Sequence, residues 1–260
     1  MDGIGDHSGG LVAAAAARLA SARRIVIFTG AGVSTDSGIP DFRSPGGLWD
    51  RYDPRQLSYR RYLEDPLARR LAWQLRRELH AMRPEPNAAH LACTRLAETG
   101  RLAGVVTQNI DGLHTDAGLD PELVCELHGN GRWVACLSCH DRLPMAEAIA
   151  RVEAGEDDPP CLRCGGILKA TTVSFGQALP RAAWERAEAM TTGCDALLAV
   201  GSSLVVHPAA RLPVLAVEAG GALLIINREP TPLDPLADMV LHGECGDLLP
   251  RLVDALLVSS

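Results

Sequence analysis

Residues 23–44 read RRIVIFTGAGVSTDSGIPDFRS, and the fold turns on how this stretch is parsed. After two arginines the chain is apolar and β-branched, the pattern of a strand buried on both faces. The strand stops at Gly30. Gly30 and Gly32 after a strand let the backbone approach a pyrophosphate, whose charge the following amides can meet. An ordinary strand–helix turn fits these two glycines equally well, because Ser34 and Thr35 occupy the neighbourhood of the usual third glycine. The continuation is also unusual. A dinucleotide turn leads straight into a helix, whereas here Pro40, Asp41, Phe42 and Arg43 follow within a dozen residues.

Outward from this point the strand pattern repeats. Short apolar runs closed by polar or glycine residues occur at 102–108, 122–128, 194–200 and 221–227. Helical stretches fall at 11–22, 65–82, 87–99, 180–192 and 208–219. Buried strands alternating with helices predict an α/β fold, a parallel sheet with helices on both faces. Two regions break the alternation. Residues 42–86, rich in Arg, Tyr, Trp and Pro, predict a loop and a small helical insert. Residues 132–170 hold two cysteine pairs and the Pro/acid-rich run AGEDDPP, and predict a second insert held by something other than a core. Residues 1–10 read as a flexible tail.

The chain has 260 residues, of which 47% are apolar, so one large domain with a small insert can build a real core. A net charge of −7 argues against nucleic acid as the main partner and favours a basic peptide. Only Lys169 among the 25 basic residues is a lysine, so a lone arginine carries little weight. No apolar run is long enough to span a bilayer, and the first ten residues lack a signal-peptide pattern. These features predict a cytoplasmic protein without a membrane partner. They leave the oligomeric state open, a monomer included.

In a reducing compartment paired cysteines point to metal. CLSC at 136–139 and CLRC at 161–164 are separated by 21 residues. Each pair can bite one ion from a tight turn, and Cys136, Cys139, Cys161 and Cys164 complete a tetrahedral Zn²⁺ site. Four sulfurs leave no open position, so one structural zinc is expected. The alternatives are two disulfides or four core cysteines. Cys93, Cys125, Cys194 and Cys245 stand in apolar contexts and are expected to be packing residues.

TQNIDGLH at 107–114 follows a strand and places Asn109 and Asp111 at the carboxyl edge of the sheet, where open α/β sheets bind ligands. Both could hydrogen-bond a carboxamide, or simply build a turn. ELHGN at 126–130 ends the next strand with His128, whose ordinary pKa of ~6.5 suits a general base or, equally, a structural histidine.

Together with VSFGQALP (173–180), GSSLVVHPAA (201–210) and IINRE (225–229), these motifs resemble the sirtuin family of NAD-dependent protein deacylases, bacterial type, over residues 24 to 252. The resemblance implies a Rossmann-like NAD-binding domain (11–41, 87–131 and 171–260), a cofactor loop with a helical module (42–86) and a zinc module (132–170). NAD and an acylated lysine peptide or protein would meet between the two units. Gly30, Ala31, Gly32 and Ser34 would hold the phosphates, and Asp41, Phe42 and Arg43 would close a mobile loop over the nicotinamide ribose. Gln108, Asn109, Ile110 and Asp111 would take the ribose and carboxamide. Gly201, Ser202, Ser203, Asn227, Arg228 and the backbone at Cys245 would face the adenosine. The acyl oxygen would attack ribose C1′, with His128 as general base toward the ribose hydroxyls. Val173, Phe175 and Gly176 would form a strip along which the peptide adds as a strand.

Ser174 stands where many members carry an aromatic, Gln177 where many carry Glu, and LKATT (168–172) lacks a common proline. Members that favour succinyl-like groups carry Tyr-x-x-Arg on the helical insert; the aligned residues here are Trp73 and Arg76. Arg76 could pair with an acyl carboxylate or be a solvated helix arginine. Two other functions remain compatible with this pattern: a protein mono-ADP-ribosyltransferase on the same fold, and a non-catalytic NAD or zinc adaptor.

Overall fold

A computed structural model describes residues 7–258. The chain begins with α1 (His7–Leu19) and β1 (Ile25–Thr29). Two single 3-10 turns (Ala31–Val33 and Thr35–Ser37) replace the helix that normally follows a dinucleotide turn. Next come α2 (Leu48–Arg51), α3 (Tyr59–Glu64), α4 (Pro66–Ala81) and α5 (Ala88–Glu98). The middle of the chain holds β2 (Leu102–Thr107), α6 (Leu113–Asp116), β3 (Val124–Glu126), β4 (Gly129–Cys136), β5 (Arg142–Pro144), α7 (Met145–Glu153) and β6 (Leu168–Thr172). The last part holds α8 (Arg181–Thr192), β7 (Ala196–Val200), α9 (Arg211–Glu218), β8 (Ala222–Asn227), β9 (Met239–His242) and α10 (Cys245–Val258).

Alternate side chains along each strand of the large sheet enter different cores. Ile25 and Ile27 face α1, α5 and α10, while Val26 and Phe28 face α8 and α9. All six strands pair parallel in the order β3-β2-β1-β7-β8-β9. Numbered within this sheet the order is 3-2-1-4-5-6, the Rossmann arrangement, and it reverses between β1 and β7. That reversal opens a crevice at the carboxyl ends of those two strands.

Helix α1 runs three residues short of the expected end and reaches back to His7, into the expected tail; residues 1–6 of that tail lie outside the described residues. Arg101 caps the end that is found: its guanidinium donates to Leu19 O, the last carbonyl of the helix, at 2.6 Å and to Ala22 O just beyond it at 3.0 Å. The strand-and-helix pattern above also omits β9 and α10, which complete the sheet edge and one face.

The second unit is a three-stranded antiparallel sheet, β5-β4-β6, with α7 and α4 against it. The expectation that the 132–170 insert lacks a core is wrong. Met145, Ala148, Ile149 and Val152 lie on one face of α7 at helical spacing, and Val134, Leu168 and Trp73 close over them. The core was hidden because Trp73 comes from α4, some sixty residues earlier. Tyr62 OH donates to Leu168 O at 2.5 Å, and Arg69 pairs with Asp158 at 2.7 Å, so the helical and cysteine-bearing segments form one body. Strands β4 and β6 run across the boundaries drawn at 131/132 and 170/171. Among the described residues no helix is long and apolar enough to cross a membrane.

Candidate active site and metal centre

The turns after β1 and β7 touch at the point of reversal. A Cβ on Gly30 would lie 2.7 Å from Gly201 O, and one on Gly32 would lie 2.9 Å from Gly201 Cα. Gly201 itself has φ +62°, and a Cβ there would meet Val33 N at 2.5 Å. The amides of Gly30 and Gly32 donate to Val200 O and Gly201 O at 3.1 and 2.9 Å. Gly30 and Gly32 therefore make room for a second backbone turn and spend their own amides on it. Both glycines also line the cleft, together with Ala31 and Ser34.

The turn after β2 fastens to the same place. Asn109 Nδ2 donates to Gly30 O at 3.0 Å and to Ser34 Oγ at 3.1 Å. Asp111 accepts from Ser34 Oγ at 2.8 Å and from Leu113 N at 2.9 Å, and a carboxylate retains further lone pairs. Gln108 Nε2 donates to Ser202 Oγ at 2.9 Å. Beneath this network two buried histidines stack at 4.9 Å, His90 and His114. Burial holds His114 down to about 3, with His90 adding a smaller push, and burial also lowers His90 against the opposing pull of Asp111. Both rings are neutral at pH 7, so the floor under Asp111 carries no imidazolium.

His128 follows β3. Its Nδ1 lies 2.9 Å from Gln108 O, a pure acceptor, so Nδ1 carries the hydrogen and Nε2 keeps its lone pair. Burial lowers the His128 pKa below 6.5, while the Gln108 contact works the other way. Gly129 (φ +74°) lets β6 pass close against the backbone next to His128, where a Cβ would overlap Thr171 O. Val173 N donates to His128 O at 2.8 Å, so the 173–177 strip begins directly on the histidine's backbone.

The loop after the 3-10 turns is organised from within. Both Asp41 oxygens are engaged by its own loop, Oδ1 by the Arg43 and Ser44 amides and Oδ2 by the Ser44 hydroxyl. Asp41 thus shapes the loop, while Arg43 is exposed. Phe175 O accepts from Tyr59 N at 2.8 Å, and Ser174 N donates to the Gln177 side chain at 3.1 Å. Gln177, one of the departures from the family pattern, therefore covers part of the strip's own edge.

Trp73 is only 1% exposed and serves the small core, and its Nε1 has no partner among the described residues. Arg76 is half-buried rather than a solvated helix arginine; desolvation lowers its pKa, and it donates to Thr172 Oγ1 at 2.8 Å. Next to it is Lys169, held down to about 8 by burial and by Arg76, and donating to the Thr172 and Ala170 carbonyls. The contribution of Lys169 was not anticipated, although its standing as the chain's only lysine was a usable signal. Every residue expected to contact cofactor or substrate, Trp73 and Arg76 included, lines one cleft of about 1160 Å³ between the two units.

At the far side of the small unit the Sγ atoms of Cys136, Cys139, Cys161 and Cys164 lie within 4.8 Å of one another. Cys136 and Cys164 are 3.5 Å apart, and Cys139 and Cys161 3.7 Å. A tetrahedron with Zn–S of about 2.3 Å has edges near 3.8 Å, so the set fits zinc and is closed by thiolates alone. The Ser138 and Cys139 amides point at Cys136 Sγ, at 3.4 and 3.5 Å, as a metal-binding knuckle requires. Separations this long exclude disulfides. Cys93, Cys125, Cys194 and Cys245 are buried in the large unit, as expected, and burial raises each thiol pKa.

Residues 30–208 match the family model described as the Sir2 family. A protein of Streptomyces coelicolor named NAD-dependent protein deacetylase 2 is 50% identical over 235 residues, covering 89% of this chain and 97% of that protein. A solved structure from work on the mechanism and regulation of Sir2 enzymes superimposes with a TM-score of 0.87 at 40% identity, covering 96% of this chain and 98% of the other. A Sir2 structure with a p53 peptide and NAD⁺ superimposes with a TM-score of 0.83 at 34% identity, covering 91% and 94% of the two chains.

Proposed function

The chain belongs to the Sir2 family, and from that premise we propose that it is an NAD-dependent protein-lysine deacylase, yielding nicotinamide, O-acyl-ADP-ribose and free lysine. The observation that carries this reading is His128. Its hydrogen is committed to Gln108 O, its Nε2 lone pair is left available, and its lowered pKa keeps the ring neutral at pH 7. A histidine so arranged is ready to take a proton from a ribose hydroxyl without first losing one.

Bound NAD would supply a ribosyl carbon with a cationic leaving group. The residues present fit that demand. Asp111 offers acceptor capacity to a carboxamide, and Asn109 ties the turn that carries it to Gly30 and Ser34. Gln108 and Ser202, bonded to each other, would face the ribose, with Ser203, Asn227, Arg228 and the Cys245 backbone toward the adenosine. Phe42 would cover the sugar and exclude water. The acyl-lysine would enter beside Val173, Phe175 and Gly176, with its acyl group directed toward the end of the cleft where Arg76 and Lys169 lie. These cations favour acyl groups that end in a carboxylate. The zinc holds the small unit's wall of the cleft and takes no part in the chemistry, because four thiolates leave no position for substrate.

The test is a panel of acyl-lysine peptides assayed with and without NAD. Turnover requires NAD, and His128→Ala lowers it by about 100-fold or more while hydrogen exchange of the sheet is unchanged. The sign of the pH dependence follows from the lowered pKa. The working base is the neutral ring, so activity is full at pH 7 and falls as the pH drops through the His128 pKa, below 6.5. Acid loss centred above 6.5 would remove His128 as the titrating base.

A further inference from the structure

One side chain in the cleft bridges the cofactor loop and the substrate strip. Trp49, on α2, stacks on Phe42 of the cofactor loop with ring centroids 5.0 Å apart. Its other contact is edge-on to Phe175 of the substrate strip, at 5.5 Å. The backbone reinforces the first contact. Trp49 N donates to Phe42 O at 3.0 Å, and Leu48 N donates to Asp41 O at 2.8 Å, so α2 and the loop move as one piece. Gly47 makes that close approach possible, since a Cβ there would come within 2.9 Å of Asp41 O.

The outer members of this trio are the exposed ones. Phe42 is 37% and Phe175 44% exposed, whereas Trp49 between them is half-buried. A peptide lying along residues 173–177 would cover Phe175 and fix its ring. A dinucleotide in the crevice would do the same for Phe42. Each event orders one neighbour of the same indole, and the second binder then meets a loop already ordered.

Resting on the deacylase reading above, the geometry points to Trp49 as a positioning residue that couples the two substrates: peptide on the Phe175 strip tightens the loop over the dinucleotide, and the dinucleotide tightens the peptide. Linkage makes the effect reciprocal. An aromatic pair contributes about 0.5–1.5 kcal/mol beyond its buried area, which corresponds to a coupling of about 2- to 10-fold. Asp41 and its internal hydrogen bonds preserve the loop's shape when Trp49 is changed, so the coupling is separable from the pocket itself.

The experiment uses the zinc-loaded full chain and ADP-ribose, which lacks the nicotinamide leaving group and cannot react. Its Kd is measured by calorimetry with and without a saturating acetyl-lysine peptide. In the wild type, peptide tightens ADP-ribose about 2- to 10-fold. In Trp49→Ala that ratio falls to about one, while ADP-ribose alone binds within about three-fold of wild type. Trp49→Phe, which keeps an aromatic face for both neighbours, restores most of the coupling. An unchanged ratio in Trp49→Ala overturns the proposal. So does loss of ADP-ribose binding without peptide, which would make Trp49 part of the pocket, or a failure of Trp49→Phe to restore coupling. A wild type that binds ADP-ribose with no response to peptide sinks the coupling but not the deacylase reading, whereas a wild type that does not bind ADP-ribose sinks both.

Discussion

The large unit buries a continuous apolar layer on each face of six paired strands, from Ile25 and Leu198 on one side to Phe28 and Leu223 on the other. The small unit has three strands, with α7 and the Trp73 face of α4 packed on them, and beyond that cluster lies a four-thiolate site. The difference is one of scale. A core of that size rarely sustains a fold, and small domains make up the shortfall with metal or disulfides. In the large unit the binding turns can therefore rest on a rigid sheet. In the small unit the far wall of the cleft depends on an ion some distance from the chemistry.

The strongest way to break this contrast is to remove the ion. Structural zinc contributes an apparent ~10–16 kcal/mol to small zinc modules at neutral pH. Chelation, or Cys136→Ser, is expected to abolish zinc binding and the hydrogen-exchange protection of Val134 and Ala170, with Ile27 and Leu198 still protected. Activity is lost with the small unit, because Arg76 and Lys169 lose their framework. Persistent protection of Val134 in the metal-free chain would show that the apolar cluster suffices alone.

A pair of glycines tests the contrast more finely. Gly201 and Gly165 both have positive φ, +62° and +72°. At Gly201 a Cβ would meet backbone at 2.5 Å, whereas at Gly165 nothing lies within 4 Å. Both alanine substitutions incur the left-handed cost of about 1–2 kcal/mol. Only Gly201→Ala must also push two turns apart, so its total is expected to reach about 3 kcal/mol or more in urea unfolding, with weakened ADP-ribose binding. Gly165→Ala is expected to stay near the lower figure, with zinc content unchanged. Equal costs would mean that the crevice relaxes easily and is not the rigid seat described.

The same contrast decides what could be read from the sequence. The strands of the large sheet are contiguous apolar runs, because both faces are buried, and β1, β2, β7 and β8 were each visible. Strand β9 escaped, being a four-residue edge strand. In the small unit the cysteine spacing was plain, since ligand geometry constrains sequence locally. Its apolar core was not, because Trp73 and Met145 meet only through tertiary folding. At the site, Asn109, Asp111 and His128 were visible as polar residues after strands. The packing of Gly30 and Gly32 against Gly201 was not legible, because a glycine's neighbours are set by tertiary folding, and Gly201 arrives from far along the chain. Arg76 could not be distinguished from its many surface counterparts until its exposure was known.

The smallest effect concerns that arginine, at the seam between the two units. Arg76, Lys169 and the Trp73 indole can only donate hydrogen bonds. Arg76 is held by Thr172 Oγ1 and Lys169 by two carbonyls, and among the described residues neither cation is paired with a carboxylate. Two desolvated cations side by side, without a counter-charge, are unfavourable unless an anion joins them. A carboxylate at the end of an acyl chain would supply it, at a charge-assisted bond of about 1.5–3 kcal/mol. Comparing succinyl-lysine with acetyl-lysine peptides, Arg76→Ala is expected to lower the ratio of their kcat/KM values by about 10-fold or more, mostly through the succinyl substrate. Arg76→Lys should recover part of it, keeping the charge but not the two-pronged geometry. If the ratio stays where it is in Arg76→Ala, the guanidinium serves only Thr172 and β6, and acyl selection lies with the apolar lining of the cleft.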